Sequence, residues 1–73
     1  MPPSLPHISG TAAIRALQKL GFVIARQKGS HVILRRGATG CVVVPNHKEI
    51  KIGTLSSLLK QASVSVDEFM AAL

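Results

Sequence analysis

Between residues 22 and 44 three short runs rich in β-branched residues, FVIARQ, HVILRR and CVVV, are separated only by KGS and GATG. Linkers of that length leave no room for a crossover, so neighbouring runs must pair antiparallel. GATG, with glycine at both ends, is the strongest hairpin signal in the chain. The pattern predicts a three-stranded meander over 22–27, 31–36 and 41–44, closed by Pro45. Alternation along the middle strand puts His31, Ile33 and Arg35 on one face and Val32, Leu34 and Arg36 on the other. Val32 and Leu34 suit a buried face, which leaves His31 and Arg35 on the open face or at the strand edge. Ile33 between them does not fit a wholly polar surface.

Helical patterns flank the strands. Ser9 suits an N-cap for TAAIRALQKL, in which Ala13, Ile14, Leu17 and Leu20 recur at helical spacing and Gly21 provides a stop. Arg15 and Lys19 share the opposite, wet face. Past a polar, basic loop, NHKEIKIG, a second helix opens at Gly53-Thr54 and runs through TLSSLLKQA, with Leu55, Leu58 and Leu59 as its apolar stripe. Ser65 and Glu68 have capping-box spacing, so VDEFMAAL reads as a short last helix within 64–73. The expected order is helix, three strands, helix, short helix. This is an α+β fold with both main helices on one sheet face and the other face uncovered.

The chain has 73 residues, room for a single domain over 1–73 and one small core. That core must come from Leu, Ile, Val and Ala, because Phe22 and Phe69 are the only aromatics. No run approaches the roughly 18 apolar residues of a membrane helix. Residues 1–8 read as a proline-stiffened extended arm rather than a signal peptide. The lone Cys41, inside CVVV, is expected to behave as a small buried hydrophobe, and a reducing cytoplasm is the simplest setting.

Charge narrows the partner. Nine Lys and Arg face three Asp and Glu, for a formal net charge of +6, and all nine cations but only Glu49 among the acids precede residue 63. A field of that sign in so small a domain favours nucleic acid, an acidic protein or an anionic surface over plain solubilising charge.

The chemistry-bearing stretch is RQKGSHVILRR. An imidazole can take or give a proton near neutral pH. On RNA, a base that removes the 2′-hydroxyl proton lets that oxygen attack the adjacent phosphate, and nearby cations stabilise the charge gathering on the phosphoryl oxygens. Arg26, Lys28 and Arg35 are candidates for that second role. Gly29 admits a phosphate close to the backbone, and Ser30 can donate a hydrogen bond to it. On residues alone the bland alternative stands beside this one: Gly29 and Ser30 as turn formers, His31 as a half-exposed strand residue. His47 is either a second acid/base group, a phosphate contact, or a solvated loop residue, and His7 is incidental. Metal sites, paired-carboxylate chemistry and phosphate-binding glycine loops fail on residue inventory. Catalysis here would be metal-free, need no cofactor, and rest on histidine.

The blocks GFVIARQKGSHVILRR, VVVPNHKEIKIGTLSSLLKQA and SVDEF resemble, nearly end to end, the HicA (YcfA-like) family of bacterial and archaeal toxins. These are small mRNA interferases of type II toxin–antitoxin systems. The resemblance implies a double-stranded-RNA-binding-domain-like fold, with two helices on a three-stranded antiparallel sheet. It also implies ribonuclease activity on mRNA with His31, the histidine of the GSH motif, as the catalytic residue. The implied partner is a HicB-type antitoxin that covers the active site, with DNA contacted only through the antitoxin. Val32 stands where many members carry a second histidine. Arg26, Lys28, Arg35, His47 and Lys51 as RNA contacts are electrostatic inferences, not carried over from the family. A non-catalytic RNA-binding module with the same fold is the competing reading, and a protein-interaction module a third. A DNA-binding repressor fits worst, since no helix-turn-helix pattern is visible.

Overall fold

A computed structural model describes residues 5–38 and 40–73 of the chain. Thr39 of the GATG turn and residues 1–4 of the expected arm lie outside them. The elements follow the expected order: α1 (Gly10–Lys19), β1 (Val23–Lys28), β2 (His31–Arg36), β3 (Gly40–Pro45), α2 (Ile52–Ala62) and α3 (Val66–Ala72). The strands form one antiparallel sheet in the order β1-β2-β3, the α+β, double-stranded-RNA-binding-domain-like arrangement.

Each helix begins where local chemistry dictates. The Ala12 N–H donates to Ser9 Oγ at 3.1 Å, closing the N-cap of α1, and Gly21 takes φ +100° just past its end. The Ser65–Glu68 capping box forms in both directions, at 3.1 and 3.3 Å. Helix α2 starts at Ile52, slightly earlier than the Gly53-Thr54 signal suggested, and its cap residue Lys51 makes no side-chain cap bond. It ends at Ser63, which adopts the left-handed φ of 58°.

Val32 and Leu34 of β2 and Val42 and Val44 of β3 face Ala13, Leu17, Leu55 and Leu59 of the two main helices, all at most 2 % exposed. Phe22 and Phe69 complete this core from just before β1 and from α3. Full burial of side chains of this size contributes about 1.5–3 kcal/mol each. Two expectations change here. Cys41 is exposed, not buried. With one sheet face covered, a four-residue apolar run can bury only alternate members, so Val42 and Val44 go in while Cys41 and Val43 stay out. The polar loop also hides a core residue: Ile50 is 1 % exposed and bridges to Ile8, its N–H donating to the Ile8 carbonyl at 2.8 Å.

Strand β1 differs from its neighbours because none of its six residues is buried. It is an edge strand held by its ladder to β2, blunted by two cations and by a bulge between Ile24 and Arg26. At the opposite end of β2, Arg36 lies on the core side of the strand. Its guanidinium sits 4.7 Å from the centroid of the Phe22 ring, and its Nη1 donates to the Leu20 carbonyl at the end of α1. That cation fastens helix to sheet. No helix among the described residues is long and apolar enough to cross a membrane.

Candidate nucleic-acid interface

Side chains of residues paired across a ladder point to the same sheet face. The register therefore lays out the uncovered face as three rows: Lys28–His31–Pro45, Arg26–Ile33–Val43, and Val23–Arg35–Cys41. The bulge at Ala25 sets this pattern. It pairs Ile24 with Leu34 on the core side while Arg26 and Lys28 join His31 on the open side. Three cations and a histidine thus share a face that carries no carboxylate, since the chain's acids are Glu49, Asp67 and Glu68.

Lys28 is the direct cross-strand neighbour of His31, about 5 Å away between Cβ atoms. Arg26 sits on the diagonal at about 7–8 Å, within reach of its long side chain. Arg35 shares the face but lies four residues along the strand from His31, about 13 Å away. It stands farther from a phosphoryl group at His31 than Lys28 or Arg26 does. Gly29 and Ser30 form the two-residue turn joining Lys28 to His31. Gly29 has φ +61°, which favours glycine, and a side chain there would meet nothing within 4 Å. The turn beside His31 is therefore open space bounded by backbone.

His47 and Lys51 lie elsewhere, with Pro45, Glu49, Ile50 and Thr54, around a groove of about 280 Å³ where β3 gives way to α2. The groove adjoins His31 through Pro45, its partner in the ladder. Pairing extends one residue past the strand, the Asn46 N–H donating to the Ser30 carbonyl at 2.6 Å. Thr11 Oγ1 donates to Asn46 Oδ1 at 3.2 Å, and the Gly10 N–H donates to the His47 carbonyl at 2.8 Å. His7, expected to be incidental, brings Nδ1 within 3.5 Å of Glu49 Oε1. Among the described residues neither His31 nor His47 has its imidazole engaged by another side chain, and no three His, Cys, Asp or Glu side chains gather as metal ligands do.

The sequence pointed to Ile33 as apolar on this surface but not to its apolar neighbours. Val23 and Val43 are 64 % and 38 % exposed and flank the half-buried Ile33. The length of the CVVV run was the available signal.

Fold and charge together define a small α+β domain with an open, basic sheet face. Residues 10–64 match the family described as "HicA toxin of bacterial toxin-antitoxin". The match takes in 55 of 73 residues, and the chain belongs to that family of toxins. A search of curated proteins returned no match.

Proposed function

We propose that this toxin is a metal-independent endoribonuclease that cleaves mRNA and thereby blocks translation, with His31 as its acid/base residue. The observation that carries the reading is the row Lys28–His31 beside the open Gly29 turn, on a face without carboxylates. A phosphate drawn to that face can approach the Gly29 backbone, with Ser30 as a hydrogen-bond donor and Lys28 and Arg26 near its oxygens. His31 takes the proton from the 2′-hydroxyl, and O2′ attacks phosphorus. The P–O5′ bond breaks and O5′ takes up a proton, leaving a 2′,3′-cyclic phosphate and a fragment ending in a 5′-hydroxyl. Arg35, about 13 Å away, holds a neighbouring part of the RNA backbone, and His47 and Lys51 line its path on the other side.

The partner that neutralises the toxin is a HicB-type antitoxin seated on the open face. The patch of Val23, Ile33 and Val43 among cations suits a protein surface that is apolar at its centre and acidic at its rim. Any DNA contact runs through that antitoxin.

The test compares wild type with His31→Ala, as purified proteins on RNA and by induction in cells lacking an antitoxin. His31 is exposed, so the variant should fold as wild type does while cleavage falls by about 10²–10⁴-fold, the usual worth of an acid/base group. Equal cleavage and equal toxicity at equal soluble level would refute the assignment. If both proteins bind RNA and neither cleaves it, the protein is a non-catalytic RNA-binding module.

A further inference from the structure

Cleavage by the proposed route needs two proton transfers, one from O2′ and one to the departing O5′. We infer that His47 is the second catalytic residue and, as an imidazolium, gives its proton to O5′; this rests on the ribonuclease reading of His31. Three observations place it. Pro45 is the cross-strand partner of His31, and His47 follows two residues later, its N–H donating to the Pro45 carbonyl at 2.9 Å. One strand spacing plus two residues of chain puts the two histidine Cα atoms at most about 12 Å apart. Two imidazoles can span that gap with a phosphodiester between them.

Second, the backbone of His47 is pinned in a way solvated loops are not. Its carbonyl receives the first N–H of α1, and its neighbour Asn46 is tied to Thr11 and Ser30. Gly10 makes this docking possible. A Cβ there would stand 2.5 Å from Asn46 Cα and 2.6 Å from the Pro45 carbonyl oxygen. Third, His47 lines an open groove that shares Pro45 with the His31 row and has room for the strand downstream of the broken bond. Lys51 and Thr54 lie in the same groove to hold it.

The step balances without a further reactant. His31 gains a proton as the O2′–P bond forms, His47 loses one as the P–O5′ bond breaks, and exchange with water restores both. The ionisable groups around His47 are Glu49 and Lys51 in the groove, His7 against Glu49, Lys48 beside it in the chain, and His31 and Lys28 across the sheet end. The first turn of α1 brings none.

The test uses two RNA oligonucleotides that differ at one atom, the ordinary 5′-oxygen or a bridging sulfur at the scissile position. A thiolate leaves without being protonated, so the sulfur substrate has no need of a general acid. His47→Ala should cut the ordinary RNA about 10²–10⁴-fold more slowly than wild type and recover most of that loss on the sulfur RNA. His31→Ala should stay slow on both. His47→Gln should repeat the His47→Ala pattern, with circular dichroism showing both variants folded. Cleavage of ordinary RNA by His47→Ala at the wild-type rate overturns the inference. An equal loss on both substrates overturns it too, and makes His47 an RNA contact only. A wild type that cleaves neither substrate overturns the ribonuclease reading and this inference with it.

Discussion

Two glycines near helix starts make opposite predictions from the same substitution. Gly10 is the first residue of α1, and Gly53 the second of α2. Replacing a helical glycine by alanine ordinarily stabilises by about 0.4–1 kcal/mol, because the unfolded chain loses freedom. At Gly53 a Cβ would meet nothing within 4 Å, so Gly53→Ala should realise that gain and raise Tm by roughly 2–8 °C. At Gly10 the added carbon would sit 2.5 Å from Asn46 Cα, where ordinary contact begins at 3.4 Å. Helix and loop must part by about 0.9 Å, which stretches the 2.8 Å bond from the Gly10 N–H to the His47 carbonyl beyond hydrogen-bond range. Overpacking of this kind costs about 1–3 kcal/mol and the lost bond about 1 kcal/mol. Against the alanine gain, Gly10→Ala should be net destabilising by roughly 1–3 kcal/mol. For a domain this small that lowers Tm by roughly 5–20 °C. Thermal unfolding followed by far-ultraviolet circular dichroism reads both variants directly. Equal upward shifts for the two would show that the seat of Asn46 on α1 is looser than described, and the placement of His47 would lose its support.

Adjacent arginines should separate binding from folding. Arg36→Ala loses the Phe22 ring contact and the bond to the Leu20 carbonyl, and should destabilise by about 1–2 kcal/mol in urea unfolding with RNA affinity unchanged. Arg35→Ala should leave stability within about 0.5 kcal/mol while weakening RNA binding and flattening its salt dependence by about 0.7 in log–log slope. Ser65→Ala removes one arm of the capping box and should cost about 1 kcal/mol, seen as a lower unfolding midpoint with unaltered cleavage.

The strands were legible because β-branched runs separated by short glycine turns admit almost one topology. The open face was half legible: alternation along β2 put His31 and Arg35 together, as the register bears out. That Arg26 and Lys28 join them while Ile24 pairs with Leu34 depends on the bulge at Ala25, where no glycine or proline marks the sequence. Cys41 was misjudged by treating an apolar run as a buried one, although a sheet covered on one side accepts only every second residue. Ile50 looked like loop because its burial depends on Ile8, 42 positions earlier. His47 stayed open between an acid/base group, a phosphate contact and a solvated loop residue, because what holds its backbone is far away in the sequence. What holds it is Gly10, whose missing side chain says nothing until the fold brings Asn46 against it.

Strand β1 places Arg26 and Lys28 on the open face yet buries none of its six residues. The parts of this chain that meet the outside world and the parts that keep it folded are therefore written at different positions. Exchanges along 23–28 that keep the ladder leave Leu17, Leu34, Val44 and Phe69 in place, each within about 0.5 kcal/mol as surface changes usually are. A toxin and the protein that silences it must remain matched as both accumulate mutations. With the antitoxin on the open face, as proposed, an edge strand with no buried residue lets the contact surface drift and be re-matched without passing through an unfolded intermediate sequence.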